Sequence, residues 1–372
     1  MLWNYLKIAL RNTTKQKLFS FINIFSLAFG IAASLLIYLF IRDERSFDAF
    51  HSKKDQIYRL AEVQSFPGTN TQNVALSMPG MAPNMHKDYP EILNYTRFWG
   101  RGKRLFEKDD NRFMIETVVA VYSTFLEIFD FKLLAGDPAT ALDEPNTMVI
   151  TEETAQVFFP KGKAMGEALI MNDNPFTITG IVENVPENSH LQFDVLLSIP
   201  TVTKDNPDFN NRFGSNYLVS YLVFDPGTDV KALEAKMPEF LSRYMPSTPD
   251  NPNDVNDFYK IFFQPLSDVH LASMNIEHDY QNYLKFNGVY LDVFAIVGIL
   301  ILLIAGVNFM NLITARASHR WKEVGVRKTV GALKSQLFSQ FLVESLLLGF
   351  FSFFLAVVIN ASVAPCFISL IV

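Results

Sequence analysis

Few residues in this sequence have the types and spacing that chemistry needs, and their arrangement argues against most reactions. Phosphate transfer from a nucleotide needs GxxxxGK followed by Ser or Thr, in which backbone N–H groups cradle the phosphates and the lysine reaches the terminal one. The nearest fragment is Lys161-Gly162-Lys163-Ala164, with no glycine five residues before Gly162 and no hydroxyl after Lys163. ATP hydrolysis is therefore expected from another chain. The six histidines, His51, His86, His190, His270, His278 and His319, show no HExxH or other close ligand spacing, so neither a metal site nor a cofactor is expected. No GxSxG nucleophile elbow is present, and the acid pairs Asp109-Asp110 and Glu152-Glu153 read as solvated surface. No catalytic residue is assigned, and the chain is not expected to be an enzyme.

One segment has a different character. Glu323 to Ala332, EVGVRKTVGA, mixes small, apolar and charged residues with two glycines, which suits a short helix docking into a groove better than a solvated loop. Just before it, Asn308 and Asn311 lie three apart at the end of an apolar stretch. Polar side chains there usually hydrogen-bond a neighbouring helix, so helix packing is the preferred reading over substrate binding.

The elements that must position this segment are membrane helices. Leu18 to Ile41 is 24 residues without a charge; as a helix it reaches about 36 Å, enough for a hydrocarbon core of roughly 30 Å. Its apolar run is too long for a cleaved signal peptide, so it is expected to remain as an anchor. Two further spans are expected, over 291–315 and 341–372. Residues 1–17 carry Lys7, Arg11, Lys15 and Lys17 with no acid, and 316–340 carries six basic residues against Glu323. The positive-inside bias puts both in the cytoplasm, 1–17 as an amphipathic helix in the membrane interface.

The stretch 42–290 holds 22 lysines and arginines against 35 aspartates and glutamates, so it is expected outside the cytoplasm. Such acidity argues against a nucleic-acid partner. The single cysteine, Cys366, falls in the third span, so the outer domain has to fold on an ordinary core without disulfides. Strands are expected over 56–64, 115–121, 176–182, 218–224 and 261–266, and helices over 78–87, 123–129, 151–158 and 230–244. Pro246 to Asn256 reads as a loop. Strand-helix-strand patterns recur at 56–107 and 217–266 with a different block between. The expected fold is therefore an α+β membrane protein whose large extracytoplasmic domain is a split βαβ subdomain interrupted by a β-rich insert.

The segment NFMNLITARASHRWKEVGVRKTVGALKSQL, Asn308 to Leu337, resembles the cytoplasmic coupling segment of the MacB/FtsX family of ABC permeases. The family pattern is Glu, Val or Ile, Gly, Val or Ile, Arg, a basic residue, two free positions and Gly-Ala. Glu323, Val324, Gly325, Val326, Arg327, Lys328, Gly331 and Ala332 all conform. The openings NYLKIALRN, KLFSFINIFSLAFGIAASLLI, RDERSFDAFH and QIYRL are similar to the family as well.

The resemblance implies a porter-type MacB-like periplasmic core domain and a separate ATP-binding cassette ATPase subunit that docks on those eight residues. It also implies a bacterial inner-membrane location, a dimer of permease units in contact with membrane lipid, and a periplasmic adaptor. The family unit has four spans and this sequence shows three, so a truncated chain, such as the first half of a duplicated permease, is expected. The function implied is export, efflux or lipoprotein release driven by the partner ATPase. An FtsX-like regulator of a cell-wall hydrolase and a membrane-anchored periplasmic binding or sensor protein are the alternatives.

Overall fold

The computed structural model of the protein describes residues 2–15, 17–247, 254–319, 321–331 and 333–371. The side chains of Leu2, Asn4, 316–319, Lys322, Glu323, Arg327 and 364–371 lie outside that description. The chain forms two compact units, Met1–Asp43 with Gly288–Val372, and Glu44–Asn287.

The chain starts with α1 (Leu2–Lys15) and α2 (Lys17–Glu44). The second unit follows, with β1 (Ile57–Gln64), β2 (Gln72–Val74), α3 (Met81–Asp88) and the long β3 (Ile92–Lys108). An inserted block then adds β4 (Asn111–Val121), α4 (Phe125–Ile128), β5 (Leu133–Ala135), β6 (Thr147–Thr151), α5 (Glu152–Phe158), β7 (Ala168–Met171), β8 (Asn174–Val182), β9 (Val195–Ser198) and α6 (Pro200–Thr203). The unit closes with β10 (Val219–Phe224), α7 (Val230–Glu234), α8 (Met237–Tyr244), β11 (Tyr259–Pro265), α9 (Leu266–Leu271) and β12 (Ile276–Glu277).

One mixed sheet runs through this unit. Strands β11, β1, β10 and β3 lie side by side, each antiparallel to its neighbour. With α3 connecting β1 to β3, and α7 and α8 connecting β10 to β11, this is the split βαβ arrangement. Leu60, Leu222 and Phe263 from the strands pack with Met81, Met85, Leu233 and Phe240 from the helices in one core. The insert continues the same sheet through β4, β9, β6 and β8, with β4–β9 and β6–β8 parallel. Its own core gathers Phe106, Val118, Ile150 and Ile178. A third core, with Phe98, Phe125, Phe129 and Tyr221, joins residues from both parts.

One expectation needs correction. The helix expected over 230–244 is two helices, because the proline at position 238 cannot donate into the turn before it and instead opens α8 at its first turn. Within 316–340, Trp321–Thr329 is helical. The last part of the chain forms α10 (Val289–His319), α11 (Trp321–Thr329) and α12 (Lys334–Ile371). The loop expected over Pro246 to Asn256 falls largely on 248–253, outside the described residues; its end, Val255–Asp257, is a single 3-10 turn.

In the first unit, α2, α10 and α12 are each long and apolar enough to cross a membrane. Small residues set how α2 meets its neighbours. Ala28 and Ala32 bury against Ala356 of α12, and a Cβ at Gly30 would stand 2.3 Å from the Cβ of Ala305 in α10. One turn on, Ser34 Oγ donates to the Gly298 carbonyl at 2.9 Å. Gly30→Leu is therefore expected to force α2 and α10 apart and to destabilise the chain in lipid nanodiscs by about 1–3 kcal/mol. Gly349→Leu, at a position with open space around it, is the matched control and leaves the melting temperature unchanged or raised. Equal melting of both variants would mean that the two backbones do not meet at Gly30.

Candidate functional site

Helix α11 is the sequence-predicted segment, and α10 and α12 flank it in the chain. Trp321, Val326, Val330 and Leu333 are exposed, Val326 at 65% and Val330 at 83%. Val326 lies in the last turn of the helix and Val330 just past its end, with the Val330 N–H on the Val326 carbonyl at 3.2 Å. Val324 is half-buried and Lys328 is exposed. Nothing stands within 4 Å of where a Cβ on Gly325 would be, so that face is open to a partner's backbone.

Gly331 ends the helix in the left-handed region, φ +93°, with its N–H on the Lys328 carbonyl at 3.1 Å. The next helix starts at once, where the Leu333 N–H donates to Gln336 Oε1. Ala332 and the side chains of Glu323 and Arg327 lie outside the described residues. Asn308 Nδ2 donates to Ser26 Oγ of α2 at 2.6 Å. Asn311 is exposed and has no hydrogen-bond partner among the described residues.

The second unit contains a buried polar network that sequence reading missed. Asp48 Oδ2 meets His190 Nδ1 at 2.7 Å, and His190 Nε2 meets the Tyr221 hydroxyl at 2.6 Å. All three side chains are buried, so no substrate can reach them. They tie the incoming chain segment to the sheet. Burial works against the Asp48 carboxylate, yet the charge and hydrogen bond of His190, with His51 behind, hold it below the ordinary carboxylate range. Burial pushes His51 down to about 4, against the pull of Asp48.

His270 makes a second tie, with Nε2 on Glu44 Oε2 at 2.8 Å and its ring stacked on Phe47 at 3.5 Å. A third lies around Arg59, which is 1% exposed. Its guanidinium donates to Asp279 Oδ1 at 2.5 Å, Gln264 Oε1 at 2.7 Å and Ser273 Oγ at 3.0 Å. Lys161, Gly162 and Lys163 are exposed in the turn after α5. Among the described residues no three His, Cys, Asp or Glu side chains come together as metal ligands.

Residues 20–240 match the family described as MacB-like periplasmic core domain, and residues 295–372 match the FtsX-like permease C-terminal family. Among curated proteins, the chain is 23% identical over 235 residues to the uncharacterized ABC transporter permease YknZ of Bacillus subtilis (strain 168), covering 62% of this chain and 53% of YknZ. It is 22% identical over 356 residues to the macrolide export ATP-binding/permease protein MacB of Shewanella sp. (strain ANA-3), covering 92% of this chain and 50% of that protein. The chain spans about half the length of these relatives. Among solved structures, a permease-protein domain from Porphyromonas gingivalis aligns with 58% of this chain and 92% of its own at 23% identity and TM-score 0.48. The periplasmic region of MacB from Actinobacillus actinomycetemcomitans aligns with 57% of this chain and 90% of its own at 12% identity and TM-score 0.39.

Proposed function

The chain belongs to the MacB/FtsX-like family of ABC transporter permeases, and on that premise we propose that a separate ATP-binding cassette ATPase subunit docks on Glu323 to Ala332 and moves the periplasmic domain. The protein lies in the inner membrane through its three apolar helices, with a periplasmic core domain between the first and second. The observation that carries the proposal is α11 itself. A nine-residue helix with exposed Val326, followed by exposed Val330, with an open glycine face and a left-handed glycine stop, joins two spanning helices with almost no slack. A push on such a segment reaches α10 and α12 directly.

In this reading the permease transmits mechanical work for export, efflux or lipoprotein release. It acts as a dimer of permease units in membrane lipid, with a periplasmic adaptor as a further partner.

Glu323→Lys and Gly325→Leu test the docking. The first adds positive charge, which strengthens attachment to an anionic leaflet, and the second changes no charge at all. Both are expected to reduce ATPase co-purification and coupled ATP turnover by tenfold or more, about 1.4 kcal/mol in binding. Normal partner binding and turnover in both variants would leave the segment as a topological anchor only.

A further inference from the structure

The periplasmic domain carries a cleft of about 760 Å³ that has no part in the coupling mechanism above. It opens where β2, the middle of β3 and the segment after β12 meet. Four carboxamides line it, Gln64, Gln72, Asn216 and Gln281, together with the aromatic rings of Trp99 and Tyr217. No carboxylate, lysine or arginine is among its lining residues.

The amides are not placed at random. Glu62, fully buried beneath the cleft, takes Gln64 Nε2 at 3.0 Å and also Asn216 Nδ2 on one carboxyl oxygen, Oε2. With its nitrogen fixed on Glu62, the Asn216 side chain has its carbonyl oxygen left as an acceptor. The other Glu62 oxygen, Oε1, is buried and has no partner among the described residues. Gln281 is held by a different device: its Nε2 lies only 2.0 Å from where a Cβ on Gly100 would be, so glycine at this point of β3 makes the room it occupies. The Trp99 ring is fixed by the Arg101 guanidinium, 4.4 Å from its centroid, and by Tyr217 packed edge to face at 5.5 Å.

We propose that this cleft binds an uncharged saccharide, its ring against Trp99 and its hydroxyls shared among Gln64, Asn216 and Gln281. The chemistry of the lining selects that class. A hydroxyl both donates and accepts, and so does a carboxamide, so each sugar hydroxyl finds a complementary pair. An apolar ligand would strip water from those amide groups that have no partner within the protein, among them the Asn216 carbonyl oxygen, at a cost of roughly 1–3 kcal/mol for each one left unpaired. A charged ligand would find no carboxylate, lysine or arginine on the lining; His278 there is engaged with the Tyr280 hydroxyl, and the nearby Arg101 guanidinium is engaged on the Trp99 ring. The rigid aromatic surface suits the C–H face of a pyranose, which has apolar area and no charge.

The test uses the full chain in lipid nanodiscs, without glycoside detergents that would compete. The chain has three tryptophans, so Trp3→Phe and Trp321→Phe leave Trp99 as the only indole reporter. Titration with a tetrasaccharide of N-acetylglucosamine is expected to shift Trp99 emission saturably. Gln281→Leu removes one carboxamide, and Gly100→Ala displaces Gln281 while leaving it in the sequence. Each should weaken the titration at least tenfold with the melting temperature unchanged. No saturable shift, or an equal shift in both variants, overturns the assignment. A shift with an uncharged blocked tetrapeptide of glycine and serine, and none with the tetrasaccharide, overturns it in favour of a peptide site.

Discussion

Asp279→Ala is expected to destabilise the periplasmic domain by about 3–5 kcal/mol, because it leaves the Arg59 guanidinium charged and buried without its counter-ion. Arg59 sits in the middle of β1, paired with Gln264 of β11 across the sheet, and the Asp279 carboxylate reaches it from the loop after β12. Gln264 and Ser273 remain, but both are neutral and cannot replace a carboxylate. Asp279→Asn keeps an acceptor oxygen in place and should cost less. Hydrogen exchange by mass spectrometry in nanodiscs reads the effect locally. Amides of β1 and β11 should exchange a hundredfold or more faster in Asp279→Ala, with Asp279→Asn in between. Unchanged protection in Asp279→Ala would mean that the charge is compensated elsewhere.

Glu62→Gln is expected to have an effect that depends on pH. Burial pushes the Glu62 carboxyl up to about 7 from an ordinary 4.5, against the two amide hydrogen bonds that favour its ionised form. A folded-state value above the unfolded one means that the folded state binds the proton more tightly. The stability linked to Glu62 is then fully present below pH 4.5 and is lost as pH rises through about 7. The loss amounts to roughly 3 kcal/mol. Glutamine has no proton to lose, so Glu62→Gln should gain about 3 kcal/mol on the wild type between pH 4.5 and pH 8.5. His51 has the opposite sign, since its folded value of about 4 lies below the ordinary 6.5 and acidification costs stability. It is present in both proteins and cancels in the difference. Melting temperatures of the two proteins that stay parallel from pH 4.5 to 8.5 would rule out a buried, titrating Glu62.

The split βαβ fold was legible because its helices and strands keep their periods. QIYRLAEVQ is rich in β-branched and aromatic residues, and the β-rich block interrupts two similar patterns. The second half of β3 was not legible. Arg101, Lys103 and Arg104 stand among Gly100 and Gly102, a composition that reads as a loop, yet pairing with β4 carries the strand across a bulge at those glycines. Strands β6 and β9 are short, fully buried runs, TMVIT and VLLS, whose apolarity does not distinguish strand from helix.

The segment proposed to couple to an ATPase stood out by local pattern, since its residues are consecutive. The Asp48–His190–Tyr221 chain was hidden, since its members lie 142 and 31 residues apart and only the fold brings them together. A histidine reads the same in sequence whether it is buried and holds two chain segments together or sits on the surface.

His270 has one more consequence. Its side chain holds Glu44, where the periplasmic domain begins, and its carbonyl accepts the Phe286 N–H at 2.9 Å, where the domain is about to end. The two ends of the domain are thus fastened to the same residue. A disordered connection of this length would impose a loop-closure entropy of about 5 kcal/mol on any pairing of the helices on either side of it. A folded domain with joined ends removes most of that term, because the separation of its ends is already set when the domain folds. Such a domain behaves toward the helices it interrupts like a short turn, which is the condition under which domains can be inserted, exchanged or enlarged in a host fold without changing it.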